Sequence, residues 1–402
     1  MALKHHELTR MGAVFAISAA IAVMFMGSTI VTPLYVLYQR DFGFSDVTLT
    51  FVYAAYVIGN LCALLFLGRL SDLIGRRRTT LPAMAAAVVS TVLFLAADST
   101  PWLVGGRIVS GFAIGIASGT CTAWLAELYP SADKSRASLV ASSANFIGLA
   151  AGTLTAGLLA EYAAKPLELP YLVYLGALFA VAVMVWRTRE TVERSATSVR
   201  NVSLRPRIGV PAGIRAQFVA PAATAFGTFA FIGFYAALVP SVLIDALDQT
   251  SHAVGGAMLF ELCAVAVIAM IATHRLTSRA AMLCGLALLL PSAAMLVAAQ
   301  LFASMPTLVI GTVLGGIAAG LGYRGSLQVV NQIAPVHQRA EVISSYLIVC
   351  YFSNALPVIG VGVLSHVSGS MIASVAFGCT VAAFALLALI TGAKYPPRRR
   401  PA

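Results

Sequence analysis

The chain has 402 residues, 59% of them hydrophobic and only 10% charged, with a net charge of +11. A soluble domain averages roughly 25% charged residues, so a soluble fold is excluded, and the alternation that a transmembrane β-barrel needs is absent. The basic excess does not call for nucleic acid, because Lys and Arg collect in the loops on the inner side of a membrane protein.

Apolar runs of about 20 residues recur from end to end, each long enough to cross a bilayer as a helix. They predict an all-α polytopic membrane protein with twelve spans, at 11–38, 48–68, 79–97, 102–127, 136–160, 169–187, 216–243, 253–273, 280–300, 306–331, 340–365 and 371–393. The first follows a basic start, as in a signal peptide, but its run is too long for one and it is read as span 1. With the N-terminus inside, inner loops, tails and the inner ends of spans hold 22 of the 26 Lys+Arg, while Asp41, Asp46, Asp98, Glu161, Glu168, Asp245 and Asp248 fall outside. Both termini are therefore expected on the cytoplasmic side. The polar link after span 6 divides the chain into residues 1–187, a linker at 188–215, and residues 216–402.

In chain order, the first motif is the link between spans 2 and 3, Gly68-Arg-Leu-Ser-Asp-Leu-Ile-Gly-Arg-Arg-Arg-Thr-Thr80. Its arginines suit an inner loop, but the carboxylate of Asp72 serves no such purpose. Asp72 can pair with Arg76 or Arg136, or sit at the positive N-terminus of a helix. The stretch resembles the pattern Gly-x-Leu-Ala-Asp-Arg-x-Gly-Arg-(Arg/Lys) of the major facilitator superfamily, with Gly68, Leu70, Asp72, Gly75, Arg76 and Arg77 in register. Ser71 and Leu73 depart from it, and Leu73 removes one arginine of the usual network. The resemblance implies two six-helix bundles with pseudo-symmetry and a cytoplasmic gate that Asp72 helps to latch.

Span 4 carries Arg107, Gly111, Gly115 and Gly119, which resemble the family's Arg-x-x-x-Gly pattern. Glycines four apart share a helix face and permit close packing. Arg107 lies about 7–8 Å along the helix from Trp102, and the resemblance associates it with proton transfer or substrate charge. Glu127 and Arg136 frame the next loop and extend the gate motif. Span 5 has Gly148, Gly152 and Gly157 but lacks the proline of the family's antiporter signature, and Arg189-Glu190-Thr191 is a weak match to a Pro-Glu-Thr found after span 6.

Glu261 is the only acid in the interior of a span, away from its ends, roughly 12 Å along span 8. An ionised carboxylate there is costly, so it should face a cavity, find a partner or take a proton. Arg324 lies late in span 10, with snorkelling and a cavity role both open. Thr32, Tyr35, Asn145, Phe226, Tyr235, Tyr346 and Asn354 are polar or aromatic residues that can line a cavity or lock helices together.

A shift of 205 places Leu103, Val104, Gly106, Gly111, Gly115 and Pro130 on Leu308, Val309, Gly311, Gly316, Gly320 and Pro335, and a shift of 207 places Pro33 on Pro240. Two equivalent halves are the sign of a transporter with its site between them. No phosphate-cradling loop, metal cluster or catalytic constellation is visible, so neither an enzyme nor a cofactor is expected. The six cysteines sit in apolar runs without CxxC spacing, where they act as packing residues.

The expected function is proton-coupled efflux of a small amphiphilic or drug-like compound across a bacterial cytoplasmic membrane. Glu261 carries the proton and Arg107 senses it. The expected partners are that substrate, protons and the bilayer, for a chain acting as a monomer. Proton-coupled uptake of a sugar or organic acid is the alternative, and a membrane sensor or scaffold the alternative of another class.

Overall fold

The structure is a computed structural model that describes residues 8–68, 70–130, 134–192 and 208–394. Arg69, most of the linker at 188–215 and part of the loop before Arg136 lie outside the described residues. Among the described residues fifteen α-helices are formed: α1 Arg10–Thr29, α2 Tyr35–Phe42, α3 Asp46–Leu67, α4 Leu70–Ile74, α5 Arg76–Leu95, α6 Thr100–Leu128, α7 Lys134–Tyr162, α8 Leu169–Trp186, α9 Arg215–Ala237, α10 Val239–Leu247, α11 His252–Ala272, α12 Ser278–Leu301, α13 Met305–Ile333, α14 Arg339–Ser368 and α15 Ser370–Lys394. Twelve helical stretches among the described residues are long and apolar enough to cross a membrane, matching the twelve spans read from the sequence.

Their boundaries follow from local chemistry. Thr9, Ser251, Thr277 and Ser304 accept from backbone N–H groups at the starts of α1, α11, α12 and α13, satisfying donors that a helix cannot pair internally. Prolines occupy the first turns of α6, α8 and α13, where the missing N–H is harmless. Two expected spans are interrupted. Span 1 breaks after Thr29 into a 3-10 turn at Thr32–Leu34 before α2, and span 7 breaks at Leu238 before α10. Pro33 and Pro240, which the 207 shift superimposes, sit at these breaks, because proline cannot donate to the helix preceding it.

Contacts divide the chain into two compact units. Unit 1 holds residues 1–34 and 55–206, and unit 2 holds residues 35–54 and 207–402. Segment 35–54 is joined to unit 2 by specific contacts: Tyr53 Oη donates to Asn354 Oδ1 at 2.5 Å, and Gly362 packs directly on Thr50.

Inside each unit the helices approach through small residues. Ser90 donates to the carbonyl of Gly106 at 2.8 Å in unit 1, and Ser292 donates to that of Gly311 at 2.8 Å in unit 2. Gly111 abuts the Tyr56 carbonyl, and its counterpart Gly316 faces that of Leu262. Gly115 faces Asn60, and its counterpart Gly320 faces Ala266. The repeat seen in the sequence is thus a repeat of contacts, and the partners on α3 and α11 also correspond, 206 residues apart. Gly119 does not continue the seam: space around it is open. Each four-residue step turns the helix by about 40°, which carries a third glycine off the contact face. Large apolar side chains such as Phe15, Val89, Phe179, Ile268 and Ile390 point outward, as in a bundle solvated by lipid rather than water.

Candidate functional site

The loop between α3 and α5 builds a charged cluster within unit 1. Gly75 separates α4 from α5 with φ of +108°, a backbone conformation that favours glycine. That bend exposes the amides at the start of α5, and the Glu190 carboxylate takes them, accepting from Arg76 N at 2.8 Å and Arg77 N at 3.0 Å. An anion at a helix N-terminus gains from both the free N–H groups and the helix dipole. A side chain added at Gly75 would meet Glu190 Oε2 at 2.6 Å, so the glycine serves the cap as well as the turn.

Arg76 is buried and neutralised from two sides. It reaches Asp72 at 2.6 Å and Glu127 at 2.6 Å, and donates to Ser71 Oγ at 2.7 Å. Thr191 Oγ1 donates to Glu127, and Trp124 Nε1 donates to the Arg189 carbonyl at 3.2 Å. Arg77 donates to the Trp186 carbonyl at 3.1 Å. Gly68 forms the turn that ends α3, and Arg136 lies in the first turn of α7. The weak match at Arg189-Glu190-Thr191 is therefore a structural part of the cluster, and the segment following α8 is tied to it by the two hydrogen bonds that Glu190 accepts, the one that Thr191 donates and the one that the Arg189 carbonyl accepts.

The two carboxylates of Arg76 are not equivalent. Asp72 is 57% exposed and Glu127 35%. An exposed ion pair contributes about 0–1 kcal/mol, whereas leaving a buried guanidinium under-paired costs about 1–3 kcal/mol. Glu127→Gln should therefore lower the melting temperature in detergent more than Asp72→Asn does, a ranking that differential scanning fluorimetry reads directly.

Higher in unit 1, Arg107 is only 1% exposed. It donates to the Ser28 carbonyl at 2.7 Å, and its guanidinium carbon lies 4.7 Å from the Tyr56 ring centroid. The seam that brings Gly111 onto Tyr56 thus also places the ring beneath the arginine. Asn60, one turn further along α3, is buried, and neither of its amide atoms has a hydrogen-bond partner; a lone Asn in an apolar span was the signal for it in the sequence. Thr32 Oγ1 is likewise buried without a partner, and Asn145 is half-buried in α7.

In unit 2, Glu261 is half-buried on α11, and its Oε2 is enclosed with no hydrogen-bond partner. Several other candidates are engaged by neighbouring helices. Tyr235 shares a hydrogen bond with Thr312 at 3.0 Å, Tyr346 with Ser326 at 2.7 Å, and Asn354 accepts from Tyr53. Phe226 stacks on Phe384 with centroids 3.9 Å apart. Tyr35, at the start of α2, is buried. Arg324 is buried and donates to the Leu276 carbonyl at 3.3 Å. Among the described residues no group of three or more His, Cys, Asp or Glu is placed to hold a metal ion.

Comparison with known proteins agrees with this architecture. The family model described as Major Facilitator Superfamily matches residues 17–281. The mouse solute carrier family 2, facilitated glucose transporter member 10, is 36% identical over 90 residues, or 22% of this chain and 17% of that protein. The uncharacterized MFS-type transporter EfpA of Mycobacterium tuberculosis is 32% identical over 150 residues, or 37% of this chain and 28% of the relative. The chain thus aligns with well under a third of the length of either relative. Among solved structures, a bacterial homolog of the human lysosomal transporter Spinster superposes over the whole of both chains with a TM-score of 0.73 at 17% identity. The human organic anion transporter MFSD10 covers 95% of this chain with a TM-score of 0.70, also at 17% identity.

Proposed function

The chain belongs to the major facilitator superfamily, and from that premise we propose that it exports a small amphiphilic compound in exchange for protons. The observation that carries this reading is Glu261, the one acid in the interior of a span, with an enclosed carboxylate oxygen that no protein group satisfies. A carboxylate in such a place is stable when protonated and costly when ionised, so it can bind and release a proton as its surroundings alternate. Arg107 and Tyr56 supply a cation and an aromatic face in the other unit, and the aromatic pairs of unit 2, such as Phe226 on Phe384, favour a partly apolar solute. In this reading the protein sits in a bacterial cytoplasmic membrane with both termini inside, acts as a monomer and needs no cofactor.

Uptake of a sugar is the second reading, favoured by the stretch similar to the mouse facilitated glucose transporter. Everted vesicles with an acidic interior separate the two. For an antiporter, substrate added outside dissipates the pH gradient. For a symporter, only substrate preloaded inside does so. A panel of amphiphilic cations, amphiphilic anions and hexoses, read by a pH-sensitive dye, is expected to show dissipation on external addition of an amphiphilic compound. Dissipation confined to preloaded hexose would replace export by uptake.

A further inference from the structure

The two units treat the loop after their second long helix differently. A shift of 206 places Asp72 on Ser278, and one of 205 places Glu127 on Gln332 and Gly119 on Arg324. In unit 1 two carboxylates flank the buried Arg76. In unit 2 the corresponding residues form a neutral network: Gln332 donates to Ser278 Oγ at 3.1 Å, and Ser278 Oγ donates to Gln328 Oε1 at 3.0 Å. Yet a buried cation is present beside it. Arg324 is 5% exposed, and its side chain occupies the position that is an open glycine in unit 1.

The surroundings of Arg324 lack a counter-charge. Its Nη2 donates to the Leu276 carbonyl at 3.3 Å, its Nε has no hydrogen-bond partner, and no carboxylate of the described residues forms an ion pair with it. Leu276 immediately precedes Thr277, the cap residue of the 24-residue α12, so the guanidinium stands beside the positive end of a long helix. Arg279, two residues further on, directs its own guanidinium to the carbonyls of Gly392 and Ala393 and brings no negative charge. Buried charges are normally paired, and among the described residues no such pairing group stands beside Arg324.

We propose that Arg324 is the receiving group of an anion-binding site on unit 2, whose ligand presents a phosphate or carboxylate at the 273–278 loop. The unpartnered Nε is one donor of a guanidinium fork, which matches two oxygens of such a group. A phospholipid headgroup and a soluble anionic compound share this chemistry. The site stands on binding alone and is independent of the direction or coupling of transport.

The test uses the full chain in phosphatidylcholine nanodiscs. In one arm its melting temperature is followed as inorganic phosphate is titrated at constant ionic strength. In the other, phosphatidylglycerol replaces part of the lipid. Ligand binding to the folded state raises the melting temperature, and Arg324→Gln is expected to weaken the apparent affinity at least about tenfold. Arg215→Gln, which removes an exposed cation elsewhere on unit 2, should leave it unchanged. A response to phosphate identifies a soluble anion, and a response confined to phosphatidylglycerol identifies a headgroup; either supports the site. A wild-type protein that responds to neither, or responds no better than Arg324→Gln, overturns it. If Arg324→Gln does not fold, Arg324→Lys keeps the charge and loses the fork, and an affinity equal to wild type then overturns the proposal.

Discussion

Glu261→Gln is expected to abolish proton-driven accumulation while leaving the protein folded and able to exchange substrate. The side chain keeps its volume and a hydrogen-bonding end, so packing on α11 is conserved. What is lost is the capacity to carry a proton. A pH difference of one unit is worth about 1.4 kcal/mol per proton, enough to sustain roughly a tenfold substrate ratio per proton exchanged. Vesicles containing wild-type protein should approach that ratio at steady state, and those containing Glu261→Gln should stay near unity. Substrate counterflow, which needs no net proton movement, should persist in the variant. Accumulation by Glu261→Gln at the wild-type level would remove Glu261 from the coupling mechanism.

The second large effect is structural. Gly111→Val should destabilise unit 1, and Gly316→Val should do the same in unit 2. A Cβ at Gly111 would overlap the Tyr56 carbonyl, and one at Gly316 would lie 2.6 Å from the carbonyl of Leu262. Both obstacles are helix backbone, which cannot rotate aside as a side chain can. Overpacking of this kind costs about 1–3 kcal/mol or more, which corresponds to a fall in melting temperature of about 2–12 °C or more. The Tyr56 ring would also be drawn from beneath Arg107, so transport should fail even where folding survives. Gly119→Ala is the control, because its Cβ meets nothing within 4 Å; it should be neutral, or slightly stabilising through helix propensity. Comparable melting temperatures for Gly111→Val and Gly119→Ala, measured by scanning fluorimetry, would contradict the seam.

Much of the architecture was legible before folding. Hydropathy located the twelve spans, because the length of an apolar run and the thickness of a bilayer are both local quantities. The 205-residue repeat paired Gly111 with Gly316, and the two make the same kind of backbone contact in each unit. Glu261 was also visible, because one carboxylate in an apolar run stands out by composition alone. The breaks at Pro33 and Pro240 were signalled by residue type, although long apolar runs on either side hid them.

The remainder depended on which distant segments approach one another. Nothing local about Glu190 shows that it caps α5, which begins 114 residues earlier in the chain, and its missing neighbouring proline made the motif look weak. Tyr53 and Asn354, 301 residues apart, are joined by one hydrogen bond that ties the N-terminal part of α3 to the rest of unit 2. The glycine series of span 4 looked uniform in sequence, yet only Gly111 and Gly115 lie in the seam. Arg76, the first of three consecutive arginines, and the isolated Arg324 both lie near a loop in the sequence, but among the described residues folding gave one two carboxylates and the other none. The sequence by itself determined the helices, the repeat and the lone acid, because periodicity and composition act within a turn or a span. Tertiary structure alone decided the pairing of charges and the choice of seam, because electrostatic and steric contacts depend on distance in space and not along the chain.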